Sequence, residues 1–163
     1  MITPRQLLLA VLAISIAIIV GALLFQYVGG LDPCELCLYE RWPYYGAIPL
    51  AAIALITGAR GAAWWIALFS LVFLASAGLG AYHVAVEQGW IVGPTACTGP
   101  PASGAKTAEE FARMIEQRQA VQCDQVQWSL MGVSLAGWNF LASLLVLLLC
   151  ASGLGNLLRE RKA

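Results

Sequence analysis

Long stretches without a formally charged side chain restrict the fold of this chain more than any other feature. Asp, Glu, Lys and Arg are absent from residues 6–31, 42–59, 61–86 and 125–158. A helix needs about 20 mostly apolar residues to cross the roughly 30 Å hydrocarbon core of a membrane, so each stretch can supply one span. The runs are continuous rather than alternating, and they are too long for barrel strands. The pattern predicts an all-α integral membrane protein, an antiparallel bundle of four transmembrane helices.

The composition agrees with this fold class. Of 163 residues, 60% are hydrophobic and 11% are charged, whereas soluble domains carry about 25% charged residues. We predict one membrane domain over 1–163, with spans at about 6–28, 42–58, 62–86 and 131–155. The outer loops then lie at about 29–41 and 87–130. In the second loop, Thr107 and Glu110 have the spacing of a capping box, so we expect a short helix on the membrane surface there.

The distribution of charge predicts the orientation. An even number of spans puts both termini on one side, together with five of the nine basic residues and a single acid, Glu160. Those basic residues are Arg5, Arg60, Arg159, Arg161 and Lys162. Because Lys and Arg favour the cytoplasmic side, we expect cytoplasmic termini and two outward loops. The nine acids balance the nine bases, and this balance predicts no nucleic-acid partner.

Four of the five cysteines fall in the two outer loops. Cys34 and Cys37 lie in the first, and Cys97 and Cys123 in the second. On the outer side of a membrane disulfides persist, so all four can take part in disulfide chemistry. Cys150 lies inside the fourth span, where we interpret it as a packing residue.

The spacing of Cys34 and Cys37 suits a redox pair, half of a zinc site or a structural bridge. We expect Asp32 to cap a helix that begins at Pro33, which would put both cysteines and Arg41 on one face. Backbone N–H groups at the helix start and the Arg41 guanidinium favour a thiolate. Glu35 and Glu40 oppose it electrostatically.

The same four cysteines could instead bind zinc. Structural zinc sites normally use two closely spaced ligand pairs, but Cys97 and Cys123 are far apart in the sequence. A loop of that length fits a disulfide as well as a metal, and the oxidising side of the membrane favours the disulfide. We therefore predict no metal site.

Aromatic residues cluster at the predicted ends of the spans. Trp42, Tyr44 and Tyr45 lie at the outer boundary of the second span, where we expect them to anchor the helix at the membrane interface. We interpret Trp138 and Asn139 as packing and boundary residues.

Several segments resemble one known family. The sequence Cys34-Glu-Leu-Cys37-Leu-Tyr-Glu-Arg41 resembles the signature of the DsbB family, quinone-linked disulfide-generating proteins of bacterial inner membranes. Four further parts of the chain resemble the same family: Tyr82-His83 with Glu87, the loop around Cys97, the residue Cys123, and the segment from Trp128 to Asn139.

The resemblance implies a two-stage electron path. A Cys97–Cys123 disulfide would oxidise a periplasmic thioredoxin-fold (DsbA-like) oxidase, with Cys97 forming the mixed disulfide. Cys123 would then exchange with Cys34, leaving Cys37 as a thiolate that faces the quinone.

The same resemblance implies a quinone site and a location. Arg41 would lie beside a ring of ubiquinone or menaquinone, and His83 and Glu87 are further candidates for contact with it. The protein would be a monomer of the bacterial inner membrane, with its redox loops in the periplasm.

Two alternatives remain open at the level of the sequence. One is a quinone reductase resembling vitamin-K-epoxide reductase, although that family has its loop cysteines before the Cys-x-x-Cys pair, the reverse of the order here. The other is a non-enzymatic four-span protein with structural disulfides or zinc.

Overall fold

The computed structural model describes residues 2–58, 60–94, 107–117 and 121–160. These contain four long helices, one short helix and a small hairpin. The helices are α1 (Pro4–Tyr27), α2 (Glu35–Ile56), α3 (Ala62–Glu87), α4 (Ala108–Gln117) and α5 (Leu135–Glu160), and the strands are β1 (Ser129–Leu130) and β2 (Val133–Ser134). The architecture is helical as predicted, and the antiparallel hairpin that leads into α5 was not anticipated.

The four long helices pack in a ring. The most extensive contacts join α3 to α5 and α1 to α2, while α2 also meets α3 and α1 also meets α5. The main core is apolar and includes Leu8, Phe69, Phe73 and Val146, all fully buried. This arrangement brings the starts of α2 and α5 to the same end of the bundle as the end of α3.

Three of the described helices are long and apolar enough to cross a membrane. By length and composition they are α1, α3 and the Leu135–Arg159 part of α5. The chain is thus a membrane protein, and the prediction of membrane-spanning helices holds for three of the four. The exception, α2, carries Glu35, Glu40 and Arg41 in its first half, and these residues lower its hydropathy.

The start of α2 differs from the prediction. Cys34, not Asp32, is the N-cap, and the helix begins at Glu35, two residues after the predicted start at Pro33. The sulfur of Cys34 accepts a hydrogen bond from the backbone N–H of Cys37, so a thiol side chain provides the cap. The charged residues before Trp42 are therefore helical.

The ends of the other elements follow from local hydrogen bonds. α4 begins after Thr107, whose Oγ1 accepts a hydrogen bond from the Glu110 N–H at 3.1 Å, as the sequence predicts. α5 begins at Leu135, later than the predicted start at 131, because the hairpin occupies the preceding residues. Its turn places Met131 and Gly132 at positive φ, the backbone of a two-residue hairpin turn.

Tyr44 is the aromatic residue whose predicted position is wrong. Trp42 and Tyr45 are exposed and remain compatible with a membrane interface, but Tyr44 is fully buried. It points into the bundle, whereas Trp42 and Tyr45 point away from it, because successive helical residues point in different directions.

Candidate redox site

Two free thiols lie in contact at the start of α2. The Sγ atoms of Cys34 and Cys37 are 2.7 Å apart, and the Cys37 backbone N–H donates to the Cys34 Sγ over 3.2 Å. The spacing of three residues brings the cap sulfur over the first turn, where the second sulfur also points. The two sulfurs are therefore placed to exchange between dithiol and disulfide.

The contact between the thiols is asymmetric. The side-chain contact with Cys37 lowers the pKa of Cys34, with a further contribution from the Cys37 backbone N–H, while burial acts in the opposite direction. Cys34 is thus the thiolate-favoured sulfur of the pair. The sequence resemblance implies a different assignment, with Cys37 as the thiolate that faces the quinone.

A buried histidine and glutamate continue this group of polar atoms. His83 Nε2 is 3.6 Å from the Cys34 Sγ, and His83 Nδ1 is 3.0 Å from Glu40 Oε1. His83 is 2% exposed and Glu40 6% exposed. Buried charges in proteins are paired, and this pair connects α3 to α2.

Glu40 is the functional candidate that sequence reasoning missed. The sequence suggests only a charge that opposes a thiolate, yet the carboxylate binds the histidine beside the thiol. The signal was its position three residues after Cys37, on the same helical face.

Arg41 points toward α1. Its Nη1 donates a hydrogen bond to Gln26 Oε1 over 2.7 Å, and the side chain is half-buried. Gln26 therefore fixes the direction of the guanidinium, which lines the same cavity as the two thiols.

A cavity of about 650 Å³ adjoins the dithiol. Its walls are mostly apolar residues of α1 and α5, and Phe25 and Trp128 form part of them with ring centroids 4.7 Å apart. Its polar residues come largely from α2 and the end of α3, namely Cys34, Cys37, Glu40, Arg41, His83 and Glu87. The structure thus brings five of the predicted site residues together in one cavity.

Glu87 also has a direct structural contact. Its Oε2 accepts a hydrogen bond from Ser134 Oγ, and Ser134 Oγ accepts a hydrogen bond from the Gly137 N–H. Glu87 is the last residue of α3 and Gly137 lies in the first turn of α5, so Ser134 links the two helices.

Cys123 is the member of the second cysteine pair that the structure describes. It is disulfide-bonded and buried, and it packs in a cluster with Cys34, Leu36 and Val86. Cys97, its predicted partner, lies outside the described residues. Cys150 is a free thiol buried in the main core, as a packing residue would be.

A chain of hydroxyl groups reaches the site from the bundle interior. Tyr44 donates to Asn139 Oδ1 over 2.8 Å, and 2.8 Å contacts join Tyr44 to Ser143 and Ser143 to Ser76. Because the amide oxygen can only accept, the tyrosine hydroxyl donates its proton to Asn139. Ser143 then donates to the tyrosine oxygen, and Ser76 donates to the Ser143 oxygen. The sequence does not predict this network, because its pattern indicates an interface position for Tyr44 and a boundary position for Asn139.

These features define a class of protein: a helical membrane protein with a dithiol at the polar end of an apolar cavity. Residues 4–153 match the family model described as "Disulfide bond formation protein DsbB". The chain belongs to the DsbB family, as the sequence resemblance predicted.

Relatives of similar length support the assignment. A "Disulfide bond formation protein B" of Acidovorax sp. (strain JS42) is 31% identical, covering 93% of this chain and 91% of the relative. The protein of the same name from Verminephrobacter eiseniae (strain EF01-2) is 34% identical, covering 91% and 85%. No solved structure matches the chain significantly.

Proposed function

We propose that this protein is a membrane thiol–disulfide oxidoreductase that reoxidises a periplasmic thioredoxin-fold (DsbA-like) oxidase and passes the electrons to a membrane quinone. One observation carries the proposal: the Cys34–Cys37 dithiol lines a large apolar cavity, and the disulfide-bonded Cys123 packs beside Cys34.

The cavity fits a quinone in shape and chemistry. Ligand sites of about 300–1,000 Å³ with apolar walls and a few polar groups are typical of small hydrophobic molecules. Apolar residues of α1 and α5 would hold a prenyl chain, and Arg41 would donate to a ring oxygen at the polar end. When bound, ubiquinone or menaquinone supplies an acceptor for two electrons and two protons.

The sulfur chemistry starts from the two adjacent couples. A thiolate attacks a disulfide sulfur through a mixed disulfide, so exchange needs two couples within reach of each other. Cys123 and Cys34 belong to the same buried cluster, which supports exchange between these two residues. In this scheme Cys97 meets the partner oxidase, and oxidation of the Cys34–Cys37 dithiol releases two electrons and two protons.

The proposal includes the membrane topology. α2 packs between α1 and α3 in the ring of helices, which supports a fourth crossing. Four spans put both termini in the cytoplasm and the cysteine loops in the periplasm of the bacterial inner membrane, with the protein acting as a monomer. α4 would then lie on the outer membrane surface, and His83 and Glu87 would border the quinone.

The test is quinone consumption by the purified protein. With a reduced DsbA-like oxidase and a short-chain ubiquinone, the wild type should reduce the quinone, and Cys37→Ser should not. Cys150→Ser is the matched control, because that thiol lies in the core away from the cavity, and its activity should be retained. Activity that survives in Cys37→Ser would contradict the proposal.

Zinc is the competing interpretation of these residues. Ligand atoms of Cys34, Cys37 and His83 lie within 4.8 Å of one another. The described residues thus supply three ligands, one fewer than a closed structural zinc site takes, and we assign no metal here. One zinc per purified chain without quinone reduction would favour the non-enzymatic alternative.

A further inference from the structure

Three polar groups lie around the sulfur of Cys34. The backbone N–H of Cys37 lies 3.2 Å away, the Cys37 sulfur 2.7 Å away and His83 Nε2 3.6 Å away. A neutral thiol is only a weak acceptor, whereas a thiolate accepts several hydrogen bonds strongly. The surroundings of this sulfur are therefore complementary to its ionised form.

The hydrogen bond with Glu40 determines which ring nitrogen of His83 can act as a base toward the Cys34 thiol. A carboxylate can only accept, so the Nδ1–H donates to Glu40 Oε1. The neutral ring then presents Nε2 as an acceptor to the Cys34 thiol, and the protonated ring presents it as a donor to the thiolate. The arrangement of thiol, imidazole and carboxylate follows the logic of catalytic triads with a cysteine nucleophile.

We propose that Glu40 and His83 form a proton-accepting pair for Cys34; this inference rests on the proposed function and deepens it. The Cys34 S–H bond breaks as an N–H bond forms at His83 Nε2, and no electrons are transferred. The proton is one of the two that oxidation of the dithiol releases; when Cys34 later leaves a mixed disulfide as a thiolate, a proton on His83 Nε2 passes to its sulfur. His83 is catalytic because it contacts the reacting sulfur, and Glu40 is a positioning residue that acts through His83.

Glu40 also has a neighbour on a third helix. Asn139 of α5 lies beside its carboxylate, and the amide oxygen of Asn139 accepts a hydrogen bond from Tyr44. The buried amide nitrogen of Asn139 has no partner at hydrogen-bond distance, so it is the group of this side chain that remains available to Glu40. Asn139 therefore lies between the proton-accepting pair and the hydroxyl chain in the bundle interior.

The other ionisable groups that face His83 are few among the described residues. Besides Glu40 they are Cys37 on α2 and Glu87 on its own helix. All three are anions when ionised, so each would favour an imidazolium at position 83. The pH profile of Cys34 should report this set of groups together.

The experiment follows the pH profile of Cys34 in reduced protein without quinone or partner. A small alkylating reagent is applied across the pH range, and tandem mass spectrometry reads modification at Cys34. His83→Gln and Glu40→Gln are compared with Glu35→Gln, the same change as Glu40→Gln at a position nearer the start of α2. Ultraviolet thiolate absorbance provides a second measure that does not depend on reagent access.

Loss of a hydrogen bond to a charged group should slow Cys34 alkylation at neutral pH about tenfold in His83→Gln and less in Glu40→Gln. The midpoint of the profile should move to higher pH in both variants, whereas Glu35→Gln removes a charge that opposes the thiolate and should leave the midpoint unchanged or move it to lower pH. Unchanged profiles in both variants would overturn the inference, as would an equal shift to higher pH in Glu35→Gln. If His83→Gln does not fold, the pH profile of Glu40→Gln decides whether the inference stands. Shifted profiles in a protein that consumes no quinone would overturn the proposed function alone.

Discussion

The hydroxyl of Tyr44 on α2 donates a 2.8 Å hydrogen bond to the amide oxygen of Asn139 on α5. The two residues are far apart in the sequence, and their contact joins helices that also line the cavity. Because Ser143 and Ser76 continue the chain of hydroxyls, the bond orders polar groups on three helices.

Removing this hydroxyl should destabilise the protein. Tyr44→Phe leaves the Asn139 oxygen and Ser143 without their partner in a buried site, which should lower the free energy of unfolding by about 1–3 kcal/mol. Denaturation in detergent measures the change. Tyr45→Phe is the control, since its side chain is exposed, and a loss of equal size there would count against the network.

Arg41 should matter for quinone use more than for the disulfides. We expect Arg41→Ala to raise the KM for a short-chain quinone about tenfold, the effect of losing one hydrogen bond from a charged group. Gln26→Leu should raise it less, because the guanidinium loses only its anchor on α1. Steady-state kinetics measures the KM for the quinone, and thiol titration shows whether the disulfides still form. An unchanged KM in Arg41→Ala would remove this residue from the quinone site.

Two glycines of α3 provide a matched test of helix packing. A Cβ at Gly80 would lie 3.0 Å from the Phe140 Cα, whereas a Cβ at Gly78 would meet nothing within 4 Å. Gly80→Ala should therefore force α3 and α5 apart and destabilise the fold by about 1–3 kcal/mol. Gly78→Ala should be neutral or stabilising by about 0.5–1 kcal/mol, since alanine favours helix. Thermal unfolding of the two variants measures the difference, and equal midpoints would contradict the close contact.

Glu87 can act through the quinone or through Ser134. If its contact with Ser134 is the main role, Glu87→Gln and Ser134→Ala should destabilise the protein alike, by about 1 kcal/mol, with an unchanged KM for quinone. A raised KM in Glu87→Gln alone would instead support the quinone contact that the sequence resemblance predicts. Unfolding and kinetics on the same preparations distinguish these results.

Local composition explains why most of the helices could be predicted. The long uncharged runs of α1, α3 and α5 can be recognised from their own residues, without knowing which helices pack beside them. The same is true of the cap at Thr107. The start of α2 was predicted only approximately, because Asp32 and Pro33 indicate a helix start, whereas the cap is the unusual Cys34 and the helix begins at Glu35.

The site could be predicted only in part, for a related reason. Cys34, Cys37 and Arg41 are adjacent in sequence and follow helical spacing, so their proximity was foreseeable. Glu40 differs because its burial depends on His83 from another helix. The environment of Tyr44 likewise depends on Asn139, distant in the chain.

One atom at the start of α2 has two tasks. In the proposed reaction the sulfur that caps the helix is also the sulfur that changes oxidation state, so each turnover would withdraw a charged acceptor from the Cys37 amide and later restore it. The opening turn should therefore loosen and tighten in step with the reaction, and amide hydrogen exchange at this turn would report the state of the couple without any added probe.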